Sequence, residues 1–111
     1  MEKNIIITGA AGGIGSEIAS FASKKGYRVG LIDSNQDKLA EVEARIENSI
    51  SLPTDITNEK SVTESLKKFS FTPDALVNCA GIVRFGSLLE QSTDDFKDVI
   101  DVNLLGCFIV S

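Results

Sequence analysis

The sequence predicts an α/β protein: a parallel sheet of four strands in the order 3-2-1-4, held between two layers of helices. Three observations lead there. Short apolar runs alternate with stretches of helical periodicity along the chain, a glycine-rich turn joins the first run to the first helical stretch, and no repeat or low-complexity tract interrupts the series. Strands separated by helices in this way lie parallel and are joined by right-handed crossovers. The change of direction between strands 1 and 4 opens a crevice over the carboxyl ends of the strands. With 111 residues, 42% of them hydrophobic, the chain amounts to one domain, residues 1–111, that buries about two-thirds of its unfolded surface.

Residues 4 to 8, Asn4-Ile5-Ile6-Ile7-Thr8, have the isoleucine-rich composition of a buried strand. Residues 13 to 25 form a helix with Ile14, Ile18, Phe21 and Ala22 on one face, stopped by Gly26. Tyr27 to Ile32 is the second strand, ended by Asp33, and Gln36 to Ile46 the second helix, with Leu39, Val42 and Ile46 at helical spacing. Ser49 to Leu52 is a weaker third strand bounded by Pro53. Thr57-Asn58-Glu59-Lys60 starts a third helix whose buried stripe is Val62, Leu66 and Phe69. Ala75-Leu76-Val77-Asn78-Cys79 is the fourth strand. After a loop from Ile82 to Gln91, Ser92-Thr93-Asp94-Asp95 reads as an N-cap with an acidic first turn, opening a last helix that runs to the terminus.

Charge and residue usage set several function classes aside. A net charge of −5, from 11 Lys and Arg against 16 Asp and Glu, argues against nucleic acid and anionic membranes as partners, since neither attracts an acidic surface. No apolar span reaches the ~18 residues of a membrane helix, and Glu2-Lys3-Asn4 leads into too short an apolar run for a secretory signal, so the chain reads as soluble and cytoplasmic. Histidine is absent, and Cys79 and Cys107 sit singly inside apolar segments, where a reduced cysteine packs as a small hydrophobe. No metal is expected from that ligand set.

The chemistry concentrates at Thr8-Gly9-Ala10-Ala11-Gly12-Gly13-Ile14-Gly15, between the first strand and the first helix. Glycines let the chain turn sharply and bring bare N–H groups up to an anion, and the positive end of the helix dipole favours negative charge there. A nucleotide pyrophosphate is the expected occupant, in a Rossmann-like three-layer α/β/α fold. The spacing of Gly9, Gly13 and Gly15 differs from the commoner Gly-x-Gly-x-x-Gly fingerprint, and glycines alone also suit a turn that binds nothing. Asp33 adds weight. At the end of the second strand its carboxylate can accept from both adenosine ribose hydroxyls, and its charge repels a 2′-phosphate. Neither Ala10-Ala11 nor Ser34-Asn35 offers an Arg or Lys to receive that phosphate, so NAD is expected over NADP. The other reading of Asp33 is an aspartate that merely ends a strand.

Thr8 to Gly15 resembles the Thr-Gly-x-x-x-Gly-x-Gly cofactor motif of the short-chain dehydrogenase/reductase family, and three further segments resemble that family in order and spacing. Asp55-Ile56-Thr57 is similar to its Asp-Val-Thr stretch, where the Asp carboxylate and the neighbouring amide contact adenine. Asn78-Cys79-Ala80-Gly81 resembles its Asn-Asn-Ala-Gly segment beside the cofactor, with Cys79 in place of the second asparagine. Asp95-Phe96, Val99, Val102-Asn103-Leu104 and Gly106 resemble its long helix with Val-Asn-x-x-Gly. The resemblance covers essentially the whole chain. It implies cofactor contacts from Thr8, Gly9, Gly13, Ile14, Gly15, Asp33, Asp55, Ile56, Asn78, Ala80 and Gly81. For Asn103 it implies a helix irregularity whose freed carbonyl holds a water of a proton relay; an ordinary polar residue on a packed helix is the alternative.

The family's catalytic serine and Tyr-x-x-x-Lys have no counterpart here: the single tyrosine, Tyr27, lies on the second strand, and Lys24 and Lys25 precede it. Hydride transfer needs a proton donor or acceptor held near the substrate oxygen. The expectation is therefore the truncated, NAD-binding portion of such an oxidoreductase, inactive alone, with Asn103 in an incomplete catalytic site. A stand-alone NAD- or ADP-ribose-binding module and a self-associating structural protein are the competing readings. The last helix, about 95–110, carries Val99, Ile100, Val102, Leu104, Leu105, Phe108, Ile109 and Val110, an apolar surface that needs cover on more than one side. The resemblance implies a dimer interface at this helix, and strand 4 is left as an unprotected edge. A homo-oligomer through either surface is expected.

Overall fold

A computed structural model of the chain describes residues 3–80 together with Asp94 and Lys97, both of which are helical. Seven elements follow in strict alternation: β1 (Asn4–Thr8), α1 (Gly13–Lys24), β2 (Arg28–Asp33), α2 (Gln36–Arg45), β3 (Ser49–Pro53), α3 (Glu59–Phe69) and β4 (Ala75–Asn78). All strand pairs are parallel and the sheet order is β3-β2-β1-β4, as the alternation of strands and helices requires. The register brings the carboxyl ends level: Thr8 lies opposite Ile32 and Asn78, and Asp33 opposite Pro53.

Period-two alternation divides the sheet between two cores. Ile5, Ile7, Val29 and Leu31 pack beneath Ala19, Ala22, Leu39, Val42 and Ile46 of the α1 and α2 layer. Ile6, Ile32 and Leu52 face the opposite way, against Val62 and Phe69 of α3. A strand sequence of three consecutive isoleucines is what burial on both faces demands. Gly30 belongs to the α3 side, and a Cβ there would stand 3.1 Å from the Phe69 ring and 3.3 Å from Ile6 Cγ1. The missing side chain is space that the Phe69 ring fills.

Helix α1 corrects one expectation. Ile14 and Phe21 are not in its buried stripe; they are 76% and 64% exposed, and the residues turned to the sheet are Gly15, Ala19 and Ala22. The reason is proximity. A Cβ on Gly15 would run into the Gly9 carbonyl oxygen, so the helix meets β1 at a distance that admits only small residues, and the bulky apolar ones rotate to its flank. Ile18 packs at the margin of the core, and Lys25 Nζ lies 5.4 Å from the Phe21 ring centroid, over its face. The helix ends in a Schellman arrangement: Tyr27 N–H donates to Ala22 O at 3.1 Å and Gly26 N–H to Ser23 O at 3.0 Å, with Gly26 at φ +92°.

On α3 the buried residues are Val62, Ser65 and Phe69, while Leu66 packs at the edge of the same core. Asn58 caps this helix by accepting from Ser61 N–H at 3.0 Å, and Asn35 caps α2 by accepting from Lys38 N–H at 3.1 Å. Among the described residues no helix is long and apolar enough to cross a membrane. Apart from Lys97, the expected last helix at about 95–110 lies outside the described residues, Asn103 and Cys107 included, and so does Gly81.

Candidate functional site

The turn between β1 and α1 is built from backbone. Gly9 adopts φ +68°, and a Cβ on it would stand 2.8 Å from Ala80 N and from the Cys79 carbonyl group, so glycine is what allows the turn to touch the end of β4. Thr8, fully buried, fixes that contact from below. Its hydroxyl oxygen accepts from Cys79 N–H at 3.1 Å and Ala80 N–H at 3.2 Å, and donates to Val77 O at 3.5 Å. One hydroxyl thus ties the first strand to the segment after the fourth, and Asn78 sits beside it at the exposed end of β4.

Further round the turn, Gly12 N–H donates to Gly9 O at 3.1 Å and Ala10 N–H to Ile32 O at 3.1 Å. Helix α1 then begins differently from its neighbours. Its N-cap, Gly12, has no side chain to cap with, and its first turn holds no acidic residue, whereas α2 and α3 have asparagine caps followed by Asp37 and Glu59. The amides of Gly13, Ile14 and Gly15 are left without an acceptor among the described residues, at the positive end of the helix dipole. Added Cβ atoms clarify the glycines. One on Gly13 would meet nothing within 4 Å and one on Gly12 only Gly9 O at 3.4 Å. Packing explains Gly9 and Gly15; it does not explain Gly12 and Gly13, whose bareness leaves room outside the protein.

Over the carboxyl ends of the strands lies a cleft of about 290 Å³, lined by Gly9 and Gly12 of the turn, Ile32 and Asp33 of β2 with Ser34 after it, Thr54 to Thr57 after β3, and Cys79 and Ala80 after β4. This is where a switch of strand direction places a ligand site. Asp33 holds two backbone donors: Oδ2 accepts from Ala11 N–H and Oδ1 from Asn35 N–H, each at 3.0 Å. Asp55 Oδ1 accepts from Thr57 N–H at 3.0 Å and from the Thr57 hydroxyl at 2.6 Å, and its own N–H donates to Ser61 Oγ at 3.1 Å. Both carboxylates border a cleft that no Lys or Arg among the described residues lines.

Of the residues singled out from sequence, Gly9, Asp33, Asp55, Ile56 and Ala80 line this cleft. Thr8 lies beneath it, and Gly13, Ile14 and Gly15 form the uncapped helix start beside it. Sequence reading missed Gly12, Ile32, Ser34, Thr54, Thr57 and Cys79 as lining residues. Thr57 carried a usable signal, since an aspartate two positions before a threonine is a side-chain-to-backbone turn pattern. Thr54 carried none, its place depending on α3 packing against it.

The family model for short chain dehydrogenases matches residues 3–111. This chain belongs to the short chain dehydrogenase family. An uncharacterized oxidoreductase of the family from Staphylococcus aureus (strain N315) is 34% identical over 110 residues, which cover 95% of this chain and 48% of that protein. Among solved short chain dehydrogenase structures, ElxO with NADP bound matches with a TM-score of 0.87 at 34% identity, covering 99% of this chain and 48% of that one. A 3-oxoacyl-(acyl-carrier protein) reductase from Brucella melitensis with bound NAD matches with a TM-score of 0.89 at 27% identity, covering 96% and 45%. The chain spans about half the length of these relatives. Short chain dehydrogenases bind NAD(P), and the two solved structures carry one form each.

Proposed function

We propose that the cleft binds NAD and that the chain supplies the cofactor-binding portion of an NAD-dependent oxidoreductase. The observation that carries this reading is the uncapped start of α1, where among the described residues three amides lack acceptors and two glycines lack any packing reason to be glycine. An anionic pyrophosphate satisfies both, by accepting from amides that approach it without side chains between. Asp33 would take the adenosine ribose, Asp55 and Ile56 the adenine, and Asn78, Ala80 and Gly81 the far side of the cofactor. Thr8 acts one layer below, by holding the end of β4 against the turn.

When bound, the nicotinamide supplies hydride-transfer chemistry. The 111 residues contain no Tyr-x-x-x-Lys to move the accompanying proton, so in this reading Asn103 is one member of a relay that needs other groups, and the chain binds without turning over. NAD is preferred to NADP because Asp33 would face the 2′-phosphate with a like charge that no lining cation among the described residues offsets. Self-association through the last helix or β4 belongs to the same proposal. Calorimetric titration tests the binding claim: NAD and ADP-ribose bind, and NADP binds about tenfold or more weakly. No binding of any of the three would leave only a structural role. With alcohols and ketones as substrates, hydride transfer followed by nicotinamide absorbance stays undetectable; robust turnover would overturn the account of the missing proton donor.

A further inference from the structure

Two buried hydroxyls meet at the back of the cleft, one on the lining residue Thr54 and one on Ser65 of α3 behind it. Thr54 and Ser65 are each 4% exposed, and their oxygens are 2.6 Å apart. Each hydroxyl has one proton. The Thr54 hydroxyl has the Leu52 carbonyl at 2.7 Å, whereas the Ser65 hydroxyl's other acceptor, Pro53 O, is at 3.5 Å. The short contacts are all used only if Ser65 donates to Thr54 and Thr54 donates to Leu52 O. A directed chain then runs from the middle of α3 to the end of β3. The Thr54 backbone N–H meanwhile donates to the Asp33 carbonyl at 2.9 Å, and the next residue is Asp55.

Thr54 is therefore joined to all the elements that set the width of the cleft at its acidic end. Its amide holds β2 at Asp33, its hydroxyl holds β3 and α3, and its chain leads directly into Asp55 and Ile56. We propose that the Thr54–Ser65 pair is a positioning device for nucleobase recognition: it fixes the Asp55–Ile56 segment relative to Asp33, so that Asp55 can accept from the exocyclic amine of adenine. This rests on the reading of the cleft as a dinucleotide site. Neither hydroxyl needs to touch the ligand. Its effect on binding passes through Asp55, and it leaves the turn from Gly9 to Gly15 unchanged.

The test compares NAD with nicotinamide hypoxanthine dinucleotide, which replaces the adenine amine by an oxo group that Asp55 repels. The wild-type protein favours NAD roughly tenfold or more, the worth of one hydrogen bond to a charged group. Thr54→Val keeps the shape and loses the hydroxyl; the preference falls to about threefold or less, through weaker binding of NAD rather than tighter binding of the hypoxanthine analogue, because the base-facing segment has moved. Thr54→Ser, which keeps the hydroxyl, restores the wild-type preference. Ser65→Ala breaks the chain from the helix side and lowers the preference in the same direction, and it decides the matter if Thr54→Val does not fold. A merely structural pair would lower the unfolding temperature and leave the base preference intact. Folded variants with wild-type preference overturn the inference alone; a wild-type protein that binds neither dinucleotide overturns the nucleotide reading and this inference with it.

Discussion

Glycines in one eight-residue turn do two different jobs, and substitution separates them. Gly9 is held at φ +68° against the Ala80 amide and the Cys79 carbonyl, so Gly9→Ala adds left-handed strain and a backbone clash together. It should destabilise the protein by about 2–4 kcal/mol, seen as a lower denaturant midpoint with unchanged slope. Gly13 is the first residue of α1, and a Cβ there meets no atom of the described residues within 4 Å. Gly13→Ala should leave stability unchanged or raise it by up to about 1 kcal/mol through helix propensity, yet weaken NAD binding by occupying the space in front of the amides. Equal loss of binding and of stability in Gly13→Ala would show that its bareness serves the fold. Asp33 divides its role in a similar way. Asp33→Ala should narrow the preference for NAD over NADP in calorimetry, while also releasing the Ala11 and Asn35 amides that the carboxylate holds. An unchanged ratio of the two affinities would remove Asp33 from cofactor selection.

At the scale of elements, most of the architecture was legible because local signals agreed with tertiary need. Isoleucine runs became buried strands, Asn58 in the expected helix start became a cap, and Gly26 ended α1 in a positive-φ position. The face of α1 was not legible. Its periodicity could be satisfied by two stripes that share Ala22, Ile14-Ile18-Phe21-Ala22 or Gly15-Ala19-Ala22, and hydrophobicity favours the first. Closeness to β1 favours the second, and closeness is set by Gly9, a residue outside the helix. Thr54 was hidden for a related reason: the third strand had weak apolar character, and the place of Thr54 in the cleft depends on α3 packing against the end of that strand. The same dependence of packing on distant partners applies at Gly30, which no strand pattern explains until the Phe69 ring is placed beside it. Because Phe69 is fully buried and Ile6 is 2% exposed, neither can yield to a larger residue. Gly30→Val should cost about 1–3 kcal/mol by overpacking, measured by chemical unfolding; a neutral or stabilising change would mean that the space beside Gly30 is not fully occupied.

For the whole molecule, the distribution of covered and uncovered surface argues for self-association. A parallel sheet is stable when both faces and both edges are protected. Among the described residues β3 and β4 are the sheet edges, and they are protected unequally. The Ser51 amide of β3 donates to the Glu43 carboxylate of α2, so one outward-facing donor of that edge is satisfied within the chain. On β4 Ala75 and Asn78 are exposed and Leu76 and Val77 half-buried, although β4 adjoins the central strand β1. Exposed Ile14 and Phe21 on α1 add apolar surface, and the sequence from 99 to 110, apolar at nine of twelve positions, is richer in such residues than either β1 or β2. A second copy can cover such surfaces by symmetry, since a two-fold interface sets the same patch against itself. Light scattering at micromolar concentration should therefore give at least twice the mass of one chain, and Val99→Glu together with Ile109→Glu should lower that mass if the last helix forms the contact. A lasting effect of these charges with no change in NAD affinity would place the contact away from the cleft. A stable monomer of the unsubstituted protein would mean that its own residues cover the β4 side, and would remove self-association from the account while leaving the nucleotide site as it stands.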